Sequence, residues 1–233
     1  MNGIFFLVPS LLNYDVPEII PTVVTDVINS TDNFIVEDEK SARHFLKVAG
    51  LKKTFQELSF RVLNEHTDRK DVANLITPLL EGKDIILLSE AGCPAIADPG
   101  SELVRIAHQK NITVRPVAGA SSIFMALMAS GMNGQQFIFH GYLPKERSER
   151  IKKIKECEQY VLKINYTQIF IEAPHRNNHL LEDLLKECSD DTLLCIASAI
   201  TGKNEFIKSK SISEWKKIVP ELHKIPTVFL LGR

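Results

Sequence analysis

Glycine, proline and carboxylate residues follow a strongly apolar segment in the middle of the chain. Residues 84–105 read DIILLSEAGCPAIADPGSELVR, an apolar strand, a loop of small and acidic residues, and a helix that we expect Ser101 to cap. Gly92 allows a positive φ and close approach of another group, and Glu90 offers a carboxylate to a cationic or hydroxyl-bearing ligand. Ligands of α/β proteins bind at such carboxyl ends of strands. The segment indicates either a ligand-binding loop or a tight structural turn.

A second loop of the same character follows the next predicted strand. Thr113–Val117 leads into the small residues 118–120 and then into a helix that opens with Ser121 and Ser122. Small residues leave room for a ligand, and a helix N-terminus exposes unpaired N–H groups that attract a carboxylate or a ribose oxygen. The alternative is that Ser121 only caps its own helix. Two neighbouring loops of this kind favour a binding site.

Several common catalytic motifs are missing from the sequence. Neither loop matches the phosphate-binding pattern G-x-x-x-x-G-K-[ST], and no G-x-G-x-x-G follows the first strand, which argues against an ATPase or a dinucleotide-binding enzyme. The four cysteines form no C-x-x-C pair, so we expect reduced thiols and no disulfide framework. We find no Ser/His/Asp arrangement and no metal-ligand spacing, and we expect no metal.

The elements that must position these loops alternate between strands and helices, which predicts an α/β fold built on mostly parallel sheets. The predicted strands are Ile4–Val8, Asn33–Val36, Asp84–Ser89, Thr113–Val117, Gln136–Gly141, Gln168–Glu172, Leu193–Ala199, Glu205–Lys210 and Thr227–Leu231. The predicted helices are Glu18–Val27, Glu39–Ala49, Asp71–Glu81, Ser101–Gln109, Ser121–Ser130, Lys145–Glu156, Asn177–Cys188 and Ser213–Lys217.

The order of the elements also predicts two domains. Alternation is strict up to about Val117, whereas Leu193–Ala199 and Glu205–Lys210 are separated by a short turn that is typical of a hairpin. We therefore expect an N-terminal α/β domain over residues 1–117 with a mostly parallel sheet. A C-terminal α/β domain with a mixed sheet is expected over residues 118–233, with a ligand crevice between the two.

The composition limits the class of protein. The chain has 233 residues, of which 44% are hydrophobic and 24% charged, as in an ordinary globular protein. A net charge of -1 gives no overall field to attract a polyanion, so a nucleic acid would need a local basic patch. The N-terminus has no basic leader, and no apolar run approaches the roughly 20 residues of a membrane span. We expect a soluble, cytoplasmic protein without membrane contacts.

The succession of motifs along the chain resembles one known family. In order, these motifs are IVEDEKSARHFLKVAGL, LNEHT, LLSEAGCPAIADPGSELVRIA, VRPVAGASSIFMALMASGM, FIFHGYLPKE and IFIEAPHR. Together they resemble the tetrapyrrole methylases, a class III superfamily of S-adenosylmethionine-dependent methyltransferases. The likeness is greatest to the branch that methylates a ribose 2′-hydroxyl in small-subunit ribosomal RNA, and it runs from about Ile4 to Arg176 and more loosely beyond.

This resemblance implies a two-domain fold, usually a homodimer, that binds a folded S-adenosyl-L-methionine between its domains. By position, residues 89–94 would line the amino-acid end of the cofactor, and Ile200 and Pro226 would lie on the adenine side. The cofactor-binding residues that the resemblance implies are Leu11, Ser89, Glu90, Ala91, Gly92, Cys93, Ala97, Ser121, Ser122, Ile200 and Pro226.

Some positions depart from the pattern of the family. Where the family has S-D-A-G-T-P, this chain has Glu90 and Cys93, and where it has E-D-T-R, residues 37–40 read EDEK with Arg43 displaced. The usual R-E-L-T-K is replaced in residues 198–203 by SAITGK. Such changes leave cofactor binding better supported than the identity of the substrate.

Methyl transfer from a sulfonium is an in-line displacement, so the enzyme must align donor and acceptor and, for a hydroxyl acceptor, assist the loss of a proton. The candidates for acceptor-side catalysis are Glu37, Asp38, Glu65 and His66, with Arg43 and Arg176 as anion anchors. For each of them, the alternative is a solvated or capping residue.

One segment could bind RNA phosphates. Residues 145–155, KERSERIKKIK, carry six basic residues against two acidic ones, with Lys152 and Lys153 as candidates for substrate binding. The alternative is the solvated face of a helix. The leading hypothesis is an RNA ribose methyltransferase. The other two are a methyltransferase of a small molecule such as a tetrapyrrole, and a cofactor-binding protein without transfer activity.

Overall fold

The computed structural model describes residues 1–64 and 66–233, which form two compact units. Unit 1 comprises Met1–Ser121 and unit 2 comprises Ser122–Arg233. The predicted residue Glu65 lies outside the described residues. Within the described part of the chain, no helix has both the length and the apolar character needed to cross a membrane.

Unit 1 is built on a sheet of five strands, one more than predicted, and the sheet is parallel, as the sequence predicts. The strand order is β3-β2-β4-β1-β5, and every described pairing is parallel. The central strands are apolar along their whole length because helices cover both faces of the sheet. The strands are β1 (Ile4–Val8), β2 (Asn33–Val36), β3 (Ser59–Val62), β4 (Ile85–Leu88) and β5 (Thr113–Pro116).

Two apolar cores lie on the two faces of this sheet. Phe34, Val36 and Leu88 face one core, whereas Ile35 and Leu87 face the other, as expected for side chains that alternate along a strand. The helices of unit 1 are α1 (Thr22–Ile28), α2 (Glu39–Val48), α3 (Arg69–Val72), α4 (Thr77–Leu80) and α5 (Gly100–Gln109), with short 3-10 turns at Pro17–Ile19, Phe55–Glu57 and Ala73–Ile76.

The connections of unit 1 diverge between β2 and β4. These strands are neighbours, but from β2 the chain continues outward to β3, whereas from β4 it crosses past β1 to β5. Adjacent parallel strands with diverging connections leave a crevice at their carboxyl ends, which is where α/β sheets bind ligands. The residues that follow β2 and β4 therefore lie at the expected position for a site.

Unit 2 is built on a mixed sheet in the order β6-β7-β10-β8-β9. The predicted hairpin is confirmed, since β8 and β9 are antiparallel and pair from Leu193 with Ser211 to Ser198 with Phe206. Among the described strands of this sheet, β6 and β7 are parallel and the other neighbouring pairs are antiparallel. The strands are β6 (Phe137–Tyr142), β7 (Thr167–Ile171), β8 (Leu193–Ser198), β9 (Phe206–Ser211) and β10 (Thr227–Gly232).

Helices cover both faces of the sheet of unit 2. One face packs on α7 (Arg147–Ile164), α8 (Asn177–Glu187) and α9 (Ile212–Trp215), where Trp215 is buried and its Nε1 donates to Leu194 O at 2.8 Å. On the opposite face, the Ser209 hydroxyl donates at 2.6 Å to the carbonyl of Ser130, the last residue of α6 (Ser122–Ser130). A 3-10 turn spans Pro174–Arg176.

The nine predicted strands are confirmed within one residue at each end, but several predicted helices are wrong in extent. The predicted helix Glu18–Val27 starts only at Thr22, after Pro21, and Asp71–Glu81 is divided into three short helical pieces around Pro78. The predicted helix Lys145–Glu156 is α7, which continues to Ile164 and ends at Asn165 in the left-handed conformation. β3 was not predicted.

The predicted cap of α5 is also wrong. Ser101 lies inside α5, and Asp98 binds the start of the helix instead, accepting from Gly100 N at 2.7 Å. An Asp two residues before a main-chain N–H forms this turn readily, so Asp98 terminates the loop that follows β4.

Candidate functional site

A polar pocket of about 410 Å³ lies at the carboxyl ends of β2, β3 and β4 in unit 1. Its volume is in the range of ligand-binding pockets, roughly 300 to 1,000 Å³. It is located where the connections from β2 and β4 diverge, as the topology predicts. The pocket is lined by Glu37, Asp38, Asn64, His66, Glu90, Ala97, Asp98 and Pro99.

The loop after β4, residues 89–99, forms one wall of this pocket and is bound to the loop after β1. Ser10 N donates to Gly92 O at 2.9 Å, and Gly92 N donates to Ser10 O at 3.2 Å. The Ser10 hydroxyl also donates to Ser89 O at 2.7 Å. Gly92 has a φ of 74°, a conformation that favours glycine. This main-chain pairing fixes the middle of the β4 loop.

The loop after β5 is bound to the same place. Cys93 Sγ donates to Ala120 O at 3.5 Å. Gly119 packs so closely on Pro9 that an added Cβ would lie 2.7 Å from the proline ring, so glycine is required there for packing rather than for space around a ligand. A small cavity of about 20 Å³ lies between the β1 and β5 loops, with Leu11 and Ala120 among its lining residues. Three loops at neighbouring strand ends thus form one connected structure.

The far end of the β4 loop carries backbone strain. Ala95 and Ala97 have φ values of 67° and 61°, although neither is glycine. Such left-handed residues cost of order 1 kcal/mol or more each and persist where the surroundings enforce them. Both Asp98 oxygens accept from Ala95 N at 2.9 Å, and this pair of bonds holds the loop in that conformation. Burial raises the pKa of Asp98.

Glu37 connects β2 to the β4 loop. Its Oε2 accepts from Glu90 N at 2.9 Å, across 53 residues of sequence. Burial raises the pKa of Glu37, the hydrogen bond from Glu90 N opposes the rise, and the neighbouring Asp98 and Glu90 carboxylates add to it. The adjacent Asp38 is exposed and caps α2, accepting from Ser41 N at 2.7 Å.

The other predicted catalytic residues divide between two places. His66 lines the pocket, and its main-chain N donates to Asn64 Oδ1 at 3.0 Å. Arg43 is not among the residues that line the pocket, because its guanidinium pairs with Glu39 at 2.8 Å and lies 5.3 Å from the centroid of the Phe60 ring. The structure brings Glu37, Asp38 and His66 together and leaves Arg43 on the surface of α2.

The predicted cofactor-binding residues lie in two groups. Those of unit 1 occupy the connected loops: Leu11 after β1, Ser89, Glu90, Ala91, Gly92, Cys93 and Ala97 after β4, and Ser121 after β5. Ser122, Ile200 and Pro226 lie in unit 2. There Ala199 N donates to Pro226 O at 2.9 Å, so the segments that carry Ile200 and Pro226 are adjacent. Their roles with a cofactor stay predictions.

Arg176 is engaged within unit 2. Its guanidinium forms an ion pair with Glu172, whose side chain is buried, and its Nε donates to Glu172 Oε1 at 3.0 Å. This contact holds the 3-10 turn to the end of β7. A ligand bound to the Arg176 guanidinium would therefore share this cation with the Glu172 carboxylate.

The basic segment of α7 is largely neutralised inside unit 2. Arg147 and Arg150 both pair with the buried Asp183, at 2.9 and 2.7 Å. Lys153 pairs with Glu156 at 2.8 Å, and Lys155 pairs with Glu187 at 2.9 Å. Lys152 is exposed and has no ion pair with a described residue. Fewer positive charges are therefore available to bind a phosphate than the sequence indicates.

Sequence reasoning missed Asp98, Asn64 and Tyr14. Asp98 stands in the turn-forming order Ala-Asp-Pro-Gly, a signal that could have identified it. The Tyr14 ring lies 4.6 Å from the His44 ring. The pKa of Tyr14 is raised by burial and by the nearby Glu90 carboxylate. Its place beside Glu90 follows from the strand order, which the sequence alone does not provide.

Among residues 1–64 and 66–233, no group of three or more His, Cys, Asp and Glu side chains could hold a metal ion.

Known proteins resemble this chain over most of its length. Residues 16–215 match the model of the tetrapyrrole (corrin/porphyrin) methylases. A protein from Vibrio cholerae named ribosomal RNA small subunit methyltransferase I is 33% identical over 190 residues, which cover 81% of this chain and 62% of that protein. A protein of the same name from Streptococcus pyogenes is 30% identical over 213 residues, covering 91% and 70%. The chain thus spans less than two thirds of the length of the first relative.

A solved structure supports the fold. The crystal structure of the methyltransferase CobJ matches 100% of this chain and 95% of its own, with a TM-score of 0.65 and 16% sequence identity. At that identity the likeness concerns the fold alone. The match over residues 16–215 and the similarity to these relatives show that this chain belongs to the tetrapyrrole (corrin/porphyrin) methylase family, in the branch of the relatives named ribosomal RNA small subunit methyltransferase I.

Proposed function

We propose that this protein is an S-adenosylmethionine-dependent methyltransferase that acts on a ribose 2′-hydroxyl of small-subunit ribosomal RNA. The observation that carries the proposal is the pocket at the carboxyl ends of β2 and β4. One wall of this pocket is the β4 loop, which is hydrogen-bonded to the loop after β1 and to the loop after β5. Sequence similarity to relatives named for methylation of small-subunit ribosomal RNA supports the choice of substrate.

The charges of the pocket suit the cofactor. S-adenosylmethionine supplies an electrophilic methyl group on a positively charged sulfonium. Glu37, Asp38, Glu90 and Asp98 all line the pocket, and in a partly buried site their carboxylates favour a cationic ligand. The small side chain of Ala97 leaves room at the wall of the pocket.

The same residues suit a hydroxyl acceptor better than a phosphate. Carboxylates accept hydrogen bonds from a ribose hydroxyl, whereas they repel phosphate groups and the carboxylates of a tetrapyrrole. His66 and Glu90 are the candidates to take the hydroxyl proton as the methyl group is transferred, since both line the pocket. The RNA phosphates would then contact cations outside this pocket, and Lys152 is one candidate.

Two further expectations belong to the proposal. Family membership favours a homodimer, which sedimentation at micromolar concentration would test, with a monomer as the contrary result. We also propose that the protein works in the cytoplasm, where ribosomal RNA is available.

Incorporation of labelled methyl groups tests the proposal. RNA from cells that lack this protein should accept label from S-adenosylmethionine when the purified protein is added, and RNA from cells that contain it should accept much less. Equal labelling of both RNAs, or none, would count against RNA as the substrate.

A further inference from the structure

Three of the four carboxylates around the pocket accept main-chain hydrogen bonds. Asp38 caps α2, and Asp98 holds both the strained part of the β4 loop and the start of α5. Glu37 accepts from Glu90 N. A carboxylate that accepts N–H groups fixes the backbone that donates them. These three residues therefore have structural partners before any ligand arrives.

The fourth carboxylate is differently placed. The Glu90 side chain is exposed in the pocket and has no hydrogen bond or ion pair with any other residue that the structure describes. Its main chain is held by Glu37, and its neighbour Ser89 is held by the Ser10 hydroxyl. The geometry thus leaves one carboxylate available to a ligand and anchors its backbone at two points.

The hydrogen bond between Glu37 and Glu90 joins the ends of two strands whose connections run in opposite directions. Glu37 follows β2 and Glu90 follows β4, and these neighbouring strands send their connections in opposite directions. Main-chain pairing joins the two strands as far as Val36 and Leu88, so beyond these residues the two loops need contacts of their own to stay together. The bond from Glu90 N to Glu37 Oε2, at 2.9 Å, is such a contact.

We propose that Glu37 is a positioning residue that holds the β4 loop, and with it the Glu90 carboxylate, in the conformation that binds the cofactor. This inference rests on the proposed function and changes the sequence-based expectation for Glu37. Its Oε2 serves as a hydrogen-bond acceptor for the main chain, and proton abstraction is left to other residues of the pocket.

Two substitutions separate these roles. Glu37→Gln keeps an oxygen acceptor for Glu90 N but cannot take a proton, whereas Glu37→Ala removes the acceptor. The control is Glu81→Ala, because Glu81 is exposed and pairs with the exposed Lys83. For each variant we would measure the Kd of S-adenosylhomocysteine by calorimetry, the kcat and KM of methyl transfer to RNA, and amide hydrogen exchange of residues 89–98.

We expect Glu37→Ala to weaken S-adenosylhomocysteine binding about tenfold and to speed exchange in residues 89–98, since it leaves Glu90 N without its partner. Glu37→Gln should stay within about twofold of the wild type in Kd and kcat. The control should change neither. A Glu37→Gln variant that binds normally but loses kcat would overturn the inference and make Glu37 a base, and so would unchanged exchange and affinity in Glu37→Ala.

Hydrogen exchange keeps this test separate from the proposed function. If the wild type fails to bind S-adenosylhomocysteine, the proposed cofactor is wrong, yet faster exchange in Glu37→Ala and normal exchange in Glu37→Gln would still support the positioning role.

Discussion

The main chains of Ser10 and Gly92 are joined by two hydrogen bonds, of 2.9 and 3.2 Å, which pair the loop after β1 with the loop after β4. Ser10 is buried, and its hydroxyl adds a third bond to Ser89 O. Neighbouring parallel strands end beside each other, but their loops usually diverge. This pairing keeps the β4 loop in a single conformation beside the pocket, and the preorganised loop loses less entropy when a ligand binds.

The first prediction concerns Gly92. A side chain there must adopt a φ of 74°, and its Cβ would lie 3.1 Å from Leu12 Cδ2. Gly92→Val should lower the free energy of unfolding by about 1 to 3 kcal/mol and weaken S-adenosylhomocysteine binding. Urea denaturation and calorimetry measure the two effects.

Gly131 provides the matched control for this substitution. It also has a positive φ, 73°, but no atom lies within 4 Å of an added Cβ. Gly131→Val should therefore destabilise unit 2 and leave cofactor affinity unchanged. Equal cofactor affinity in the wild type and Gly92→Val would show that the β4 loop does not bind the cofactor.

The second prediction concerns the pH dependence of stability. Because burial raises the pKa of Glu37 above 4.5, protonation of this carboxyl favours the folded state. Its stabilising effect is full below pH 4.5 and is lost as the pH rises through the higher pKa of the folded state. Glu37→Gln mimics the protonated form and keeps the acceptor for Glu90 N.

The melting temperature of Glu37→Gln relative to that of the wild type should accordingly increase between pH 4 and pH 8. Glu81→Gln, at an exposed carboxylate outside the pocket, is measured alongside and corrects for general effects of losing a carboxylate. A difference that stays flat, or falls as the pH rises, would contradict the burial of a charged Glu37.

The third prediction concerns α7. Arg150 and Asp183 are both buried and form an ion pair, so Arg150→Ala should destabilise unit 2 by about 3 to 5 kcal/mol. Lys152 is exposed, and Lys152→Gln should change stability by less than about 0.5 kcal/mol. Chemical denaturation distinguishes the two outcomes.

Lys152 also allows a test of RNA binding. If it contacts a phosphate, Lys152→Gln should reduce the salt dependence of log K for RNA by roughly 0.7 to 0.9 of a unit. Lys155→Gln serves as the comparison, because Lys155 already pairs with Glu187. Identical salt slopes for the wild type and both variants would show that neither Lys152 nor Lys155 contacts an RNA phosphate.

The fourth prediction concerns the cysteines. Cys93 is half-buried, whereas Cys157, Cys188 and Cys195 are buried. Burial raises the pKa of the Cys93 thiol, with an opposing hydrogen bond from Ser121, and burial raises that of Cys157 to about 11. Iodoacetamide should therefore modify Cys93 first, slowly at neutral pH and faster as the pH rises.

Peptide mass spectrometry would identify the modified residue, and S-adenosylhomocysteine should protect it because Cys93 belongs to the predicted cofactor loop. In urea all four thiols should react. Modification of Cys157 before Cys93 in the folded protein would contradict the described burial.

The sequence predicts the strands of this fold better than its helices, for reasons visible in particular residues. Ile85–Leu88 is buried on both faces and reads as a continuous apolar run, whereas β3 is an edge strand that contains Arg61 and is only partly buried. α7 was predicted too short, since the predicted helix ends at Glu156, whereas α7 continues to Ile164 and its second half carries the buried Val161.

Several residues named from the sequence line the pocket, but the contacts between them were not predicted. Glu37 and Glu90 are both among the predicted residues, yet they are 53 positions apart, and only the order of β2 and β4 brings them together. Arg43 is the contrasting example. Its charge suggests an anion anchor, but its guanidinium pairs with Glu39 and lies near the aromatic rings of Phe55 and Phe60.

The most direct test of the proposed function is the identity of the methylated nucleoside. Purified protein would be incubated with methyl-labelled S-adenosylmethionine and small ribosomal subunits from cells that lack it, and the RNA would then be digested to nucleosides and analysed by mass spectrometry. We predict a single labelled species, a 2′-O-methylnucleoside, whose formation falls in Gly92→Val. Label confined to a nucleobase, or no label in RNA from a protein that binds the cofactor, would contradict ribose methylation by this protein.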